Sequence, residues 1–534
     1  MGKQILFDDE ARRQLSNGVR KLGRAVRVTY GPSGRNVMLE KGLGKTVMTR
    51  DGLNVSREIE LEEPFHNMGA KLLNEVATRT NKDVGDGTTS AVILAEAIIE
   101  EGTRFLGAGV SPIALRTGIE KAVEAAVEGL KEHAIPVENR RMIEQVGTIA
   151  SNEPELGKLF GEAMHKVGLQ GVVTVEENDG VETMLDLVEG FEIDKGYLSP
   201  YFITDVNNLE VVLDDALIFV TDRKISSLSE ILPVLEQIAS SGKPLLIVAE
   251  DVEGEALSAL IVNRLRGVLR VAAVKAPGFG DRRKAMLEDF SVMTGATFFA
   301  KDTGFDWNQV QLKDLGKARK VEVSKDKTLI FRGAGKKANL DARCEQLRSQ
   351  IEQTSSNYDR EKLEERLAKI SGQIAVIRVG GHSEAEIKER KDRADDALAA
   401  TRAAMEEGVV PGAGTGFVRA IPYVEEVKAK GDERFGVEVV ARALRAPLVQ
   451  LAENLGEDGH AICADVEDAE EWCEGYDGVK RKVTDLVKAG VIDALKVSRV
   501  ALQNAASIAS LYLTSDTAIT EVAKKSDPVE GALS

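Results

Sequence analysis

The chain has 534 residues, 43% of them hydrophobic, 29% charged and 4% aromatic, a globular profile too long for one compact core. Its 87 acidic side chains against 70 Lys and Arg leave a formal charge of −17, which argues against nucleic acid as a partner because no basic excess displaces phosphate counterions. Three cysteines lack metal-ligand spacing, no apolar run reaches the length of a membrane span, and the first residues lack a signal-peptide core, so reduced thiols, no membrane partner and a cytoplasmic location are expected.

Residues 8–28 read as an amphipathic helix, with Ala11, Leu15, Val19, Leu22 and Val26 at helical spacing. The turn Tyr30-Gly31-Pro32-Ser33-Gly34 ends it, and a strand-like run from Asn36 to Leu39 and a turn at Arg50-Asp51-Gly52 follow. Helices are predicted over 65–82, 88–107, 112–132, 139–150 and 154–167, with Pro112 and Pro136 at boundaries. From residue 171 the texture changes. Strands at 172–175 and 182–188 precede a regular alternation of strand 216–221, helix 227–240, strand 244–249, helix 254–266 and strand 269–274. That rhythm predicts a largely parallel sheet flanked by helices. Residues 338–370, broken at Ser355-Ser356-Asn357, read as a solvated pair of antiparallel helices. Beyond residue 384 helices return around the turn Val410-Pro411-Gly412-Ala413-Gly414. A helical part built from both chain ends, carrying an inserted α/β part, is the economical architecture.

Four loops have a phosphate-friendly character: 29–32, 50–52, 85–90 and 412–414. In VGDGTTSA (84–91), Gly85 and Gly87 permit close backbone approach, and Thr88, Thr89 and Ser90 stand at the start of an apolar helix, where anions are favoured. Asp86 among them suits a divalent cation bridging to phosphate. There is no GxxxxGK[ST] loop and no GxGxxG following a strand. Taken singly, each loop reads more readily as a turn than as a site.

VGDGTTSA, TYGPSGRNVMLEK (29–41), EDVEGEAL (250–257), VKAPGFGDRRKAML (274–287) and DDALAATRAAMEEGVVPGAG (395–414) closely resemble the group I chaperonins, the GroEL type, in the family's order. The resemblance implies three domains: an equatorial ATP-binding domain (1–132 with 407–534), an intermediate hinge domain (133–188 with 375–406) and an apical α/β domain (189–374). It implies an ATPase that encloses non-native client proteins in a homo-oligomeric, seven-membered ring, single or double, closed by a co-chaperonin lid. The implied cofactors are ATP, Mg2+ and K+. Position by position, Asp86 resembles the magnesium ligand beside phosphate-binding Gly87, Thr88, Thr89 and Ser90, and Thr29, Tyr30, Gly31 and Pro32 resemble the loop along the nucleotide. Asp396 matches the carboxylate that activates the attacking water, with Asp51 as helper. Gly412, Asp477, Val491 and Asp493 match positions around adenine and ribose. Arg50 replaces a Lys near the monovalent-cation site, Ala413 a Gly, and Asp477 an Asn, departures that bear on potassium dependence and nucleotide affinity.

In the inserted part, Tyr197, Tyr201, Phe202, Leu232, Leu235, Leu257, Ile261 and Val262 would face its own core if periodicity alone decided. The resemblance instead makes them an exposed apolar rim that grips unfolded chains and the lid. Gly190 and Gly372 match hinge positions, and Lys195 and Glu384 keep the signs of a switching salt bridge. The given sequence ends KKSDPVEGALS, without the family's usual Gly-Gly-Met run, and Val449 stands where an Arg usually bridges two rings, with His460 and Ala461 also differing. A weakened ring-to-ring contact is therefore expected. A divergent paralogue with specialised clients is a second reading, and a monomeric metabolic kinase a third that lacks an acceptor site.

Overall fold

The computed structural model describes residues 2–41, 45–167, 171–178, 180–206, 208–354 and 356–521. Ser355 and the tail KKSDPVEGALS lie outside the described residues. The chain divides into two compact units: residues 1–162, 177–182 and 379–534, and residues 163–176 and 183–378. The expected intermediate segments are shared between these two units.

The first unit is a helical bundle. Helix Asp8–Arg27 starts with Asp8, Asp9 and Glu10 and ends with Arg24 and Arg27, matching charge to the helix dipole at both ends. It buries Leu15, Val19, Leu22 and Val26, and packs against helices Pro64–Val84 and Thr88–Gly107. Pro64 and Pro112 occupy the first turns of their helices, where no amide is needed; Glu63 caps the former by accepting from His66 N at 2.6 Å. Helix Leu495–Leu513 completes the core, with Tyr512 and Leu513 fully buried against the bundle. Strand Lys3–Phe7 pairs antiparallel with Thr517–Glu521, joining the two ends of the described chain. Sequence reading missed that pair, the hairpin partner Lys45–Thr49 and the short helix Gly52–Glu58.

The second unit carries most of a nine-stranded sheet. Its order is Val271–Lys275, Leu245–Ala249, Val211–Thr221, Gly316–Val323, Thr328–Gly333, Met184–Ile193, Gln373–Val379 and Val172–Glu177, with Phe298–Phe299 beside Val211–Thr221. The three strands joined by helices Leu228–Ser241 and Gly254–Leu265 are parallel, as their alternation predicts. The remaining pairings around Gly316–Val323 and Thr328–Gly333 are antiparallel. Gly190 lies inside strand Met184–Ile193, and Gly372 ends helix Asn357–Ser371. The paired helices Lys337–Gln353 and Asn357–Ser371 are more firmly attached than a solvated hairpin. Arg343 and Arg366 both donate to buried Asp289 at 2.7 Å, and Leu347 is buried.

Candidate functional site

Two long helices of the first unit meet across Gly85-Asp86-Gly87. Gly85 (φ +71°) ends helix Pro64–Val84 by donating to Asn81 O, and Gly87 (φ +75°) precedes helix Thr88–Gly107. No side chain caps that second helix, and its first internal bond runs from Ala91 N to Gly87 O at 3.0 Å. The amides of its first turn therefore face outward as anion donors. Asp86 Oδ1 accepts from Gly87 N at 2.5 Å, which fixes the carboxylate at the head of the helix.

Tight contacts bring the other loops to this point. An added methyl at Gly52 would lie 2.3 Å from Thr89 Oγ1, at Gly85 2.4 Å from Ala399 Cβ, and at Gly87 2.6 Å from Val497 Cγ1. The first contact seats the Asp51 loop against the first turn of helix Thr88–Gly107. The second sets Asp86 beside helix Glu384–Glu407, one turn from Asp396. The third leads to Asp493, on strand Ile492–Ala494, which pairs with Val409–Pro411. Gly412 N donates to Val491 O at 3.0 Å, and a methyl on Gly412 would sit 3.0 Å from Asp493 Oδ1.

The 29–32 loop closes another side. Ser90 Oγ donates to Tyr30 Oη at 3.2 Å, and Asn454 Nδ2 donates to the carbonyls of both Arg27 and Tyr30 at 2.9 Å. Leu451 underlies Gly31 and Gly478, and Pro32 lies next to Gly478, which places the Asp477 turn alongside. Arg50 reaches Pro32 O at 3.4 Å. Asn454 and Leu451 were missed in the sequence; the one signal was an Asn ending the largely apolar helix Ala446–Asn454, whose other polar residues are Gln450 and Glu453.

Three side chains are engaged locally. Thr29 Oγ1 donates to Val26 O at 2.8 Å. Asp51 accepts from Leu53 N at 2.9 Å and Asn54 N at 3.0 Å, capping helix Gly52–Glu58. Asp477 accepts from Val479 N, Lys480 N and Lys480 Nζ within its own turn. Burial opposes ionisation of Asp477, but the Lys480 ammonium and these amides hold its carboxyl below the usual range.

The electrostatics are dominated by like charges. Burial, with Asp51 adding to it, pushes Asp86 up to about 6 against the lowering influence of the Gly87 amide. Burial and then Asp86 push Asp493 up to about 7. Asp396 is raised well above the carboxylate range by burial, then by Asp86, Asp51, Asp395 and Asp392. Burial, then Asp493, raises the Tyr30 phenol, which stays neutral. Carboxylates gathered around a helix N-terminus call for a cation shared with an anionic ligand. Among the described residues no three His, Cys, Asp or Glu side chains form a metal cage by themselves. The donor set fits Mg2+, which keeps few protein ligands and completes its shell with phosphate and water oxygens.

The apolar positions of the second unit divide. Tyr201, Leu232 and Val262 are exposed (63%, 41% and 42%), while Tyr197, Leu257 and Ile261 are half-buried against the core. Phe202 and Leu235 do not belong to an exposed rim: they are 0% and 4% exposed, inside the core. Phe202 follows Tyr201 in the short turn Pro200–Phe202, and its ring turns inward as Tyr201 turns out. Leu235 shares the inner face of its helix with Ile231, Val234 and Ile238. Leu265 and Val268, each 57% exposed, extend the apolar surface beyond Val262. Spacing of three from Val262 to Leu265 was the available signal.

The sequence model of the TCP-1/cpn60 chaperonin family matches residues 22–523. Among solved structures, the chain is similar to the chaperonin gp146 from the bacteriophage EL 2 (Pseudomonas aeruginosa), crystallised in the presence of ATP-BeFx. The TM-score is 0.71 at 21% identity, over 97% of this chain and 99% of the phage protein, a likeness of fold.

Proposed function

The chain belongs to the TCP-1/cpn60 chaperonin family, and from that premise we propose that it is an ATPase that drives protein folding inside a ring of identical subunits. The observation that carries this reading is the convergence of Asp51, Asp86 and Asp396 on the uncapped start of helix Thr88–Gly107. Phosphates of ATP rest on the amides of Thr88, Thr89 and Ser90, with Thr29 to Pro32 along one side and Gly412, Val491, Asp493 and the Asp477 turn toward the nucleoside. Asp86 holds Mg2+, whose chemistry there is to neutralise phosphate charge. Asp396 orients the attacking water and takes its proton; a carboxylate with a raised pKa is the better base for that step. Asp51 acts by position, through the helix it caps and the charge it adds beside Asp86 and Asp396. Arg50, against the Pro32 carbonyl, stands at the monovalent-cation position and bears on K+ dependence.

Nucleotide binding shifts the subunit between client-gripping and closed states through differential contacts. Tyr201, Leu232 and Val262, with half-buried Tyr197, Leu257 and Ile261, supply the surface for non-native proteins and a co-chaperonin lid. The assembly is a seven-membered ring in the cytoplasm. Phosphate release by Asp396→Ala, measured beside nucleotide binding and refolding of an aggregation-prone client, tests the assignment. Turnover is expected to collapse while binding persists, and unchanged turnover would overturn the role of Asp396.

A single-ring form is favoured by one further observation. Val449 is buried in the core, and Gly459 packs against its backbone, so this position offers no charge for ring-to-ring pairing. Native mass measurement without nucleotide is expected to give one ring; a tight double ring refutes this reading.

A further inference from the structure

Helix Asp8–Arg27 ends where the 29–32 loop begins, and its last carbonyls have no partner within the helix. Tyr30 N turns back onto Arg27 O at 3.2 Å. The carbonyls of Arg27 and Tyr30 are then tied together by one side chain from the far end of the sequence: Asn454 Nδ2 donates to both at 2.9 Å. Among the described residues Tyr30 O has no other donor. A carboxamide suits this place, because its two N–H groups diverge and each takes one carbonyl. The amide is oriented from behind. Gln450, one turn earlier in helix Ala446–Asn454 and buried, donates through Nε2 to Asn454 Oδ1 at 3.0 Å. That bond keeps the oxygen of Asn454 away from the two carbonyls and its nitrogen toward them.

The same helix end bears on a second loop. A methyl on Gly31 would lie 3.1 Å from Leu451 Cγ, and one on Gly478 would lie 3.2 Å from Leu451 Cδ2 and 2.8 Å from Leu455 Cδ1. Residues 451, 454 and 455 share one face by their spacing of three and four, so a single strip supports the 29–32 loop and the Asp477 turn together. We propose that Asn454 is a positioning residue for the nucleotide: it holds the 29–32 loop in its binding shape before a nucleotide arrives, and Gln450 keeps its amide turned the right way. The gain is preorganisation, since a loop already ordered loses no freedom on binding. This inference rests on the nucleotide site proposed above.

Calorimetric titration of the full-length protein with ADP and Mg2+ tests this without turnover. Asn454→Ala is expected to weaken ADP about tenfold, and Asn454→Asp, of the same shape but without a donor, at least as much. Gln450→Glu offers Asn454 only acceptors and turns its amide over. It is expected to weaken ADP about tenfold beside Asn454, but less than about twofold in the Asn454→Ala background. A side chain that merely stabilised the fold would lower the melting temperature and leave ADP affinity within about twofold wherever the variant is folded. That result overturns the proposal, as does an equal effect of Gln450→Glu in both backgrounds. The wild type alone gives a measure that no misfolded variant can spoil. The amides of Tyr30, Gly34 and Arg35 donate to Arg27 O, Gly31 O and Val28 O, and their hydrogen exchange is expected to be slow without nucleotide. ADP is expected to slow it by less than about threefold. Fast exchange that only ADP suppresses overturns the positioning role of Asn454 alone. Failure of the wild type to bind ADP overturns both that role and the site beneath it.

Discussion

Replacing Gly85 with Ala isolates the geometric demand of the proposed reaction. The new methyl would lie 2.4 Å from Ala399 Cβ, whereas carbon atoms settle at about 3.5–4.0 Å. The gap must open by roughly 1–1.5 Å. Gly85 immediately precedes Asp86, and Ala399 lies three residues after Asp396 on one continuous helix, so the movement separates the two carboxylates proposed to flank the reacting phosphate. A misplacement of about 1 Å costs on the order of a hundredfold in rate. Backbone strain at positive φ acts on stability as well, and it has its own control. Gly109 (φ +88°) has nothing within 4 Å of an added methyl, so Gly109→Ala carries the strain without the collision. Single-turnover phosphate release at saturating Mg2+ and ATP is the assay. Gly85→Ala is expected to fall about a hundredfold with nucleotide affinity changed less than about tenfold, and Gly109→Ala to match the wild type. Wild-type turnover in Gly85→Ala refutes the reasoning, and an equal loss in both variants assigns the effect to strain.

The raised carboxylates predict a pH dependence. Folded Asp86 and Asp493 bind protons more tightly than the unfolded chain, so their stabilising contribution is full below the ordinary carboxylate range and is lost as pH rises through about 6 and about 7. Because cation binding needs ionised Asp86, Mg2+ with ADP should raise the melting temperature more at about pH 8 than at about pH 5.5; the reverse order counts against Asp86 as ligand. Phe202→Ala, in a fully buried position, should cost about 3–5 kcal/mol and lower hydrogen-exchange protection in strand Val211–Thr221. Tyr201→Ala should change stability by less than about 0.5 kcal/mol while weakening client capture. Loss of client capture in Phe202→Ala at full protection would place that ring on the surface after all.

Elements with strong periodicity were legible because burial repeats where the helix repeats: Leu15, Val19, Leu22 and Val26 all lie inside. The parallel strands were legible for the same reason, each being a short apolar run between helices. Helix Gly52–Glu58 was not, because Asp51-Gly52 reads equally as a turn or as a cap with the first helical residue. Phe202 and Leu235 could not be separated from Tyr201 and Leu232 by sequence, since neighbours of equal hydrophobicity differ only in which way a turn or helix points them. The site itself was four loops without a centre. Contacts such as Gly52 with Thr89 and Gly85 with Ala399 join residues far apart in the chain, and no spacing rule encodes them.

The pairing of Lys3–Phe7 with Thr517–Glu521 has a consequence for how the protein is made. At about 5–20 residues per second, the ribosome delivers Thr517 roughly 25–100 s after Phe7. Helices Pro64–Val84 and Thr88–Gly107, made early, must hold part of their apolar surface until helix Leu495–Leu513 emerges to pack against them. Residues 183–378 are complete well before then and can fold as a unit. During its own synthesis the chain is an aggregation-prone nascent polypeptide, of the kind its finished form is proposed to rescue.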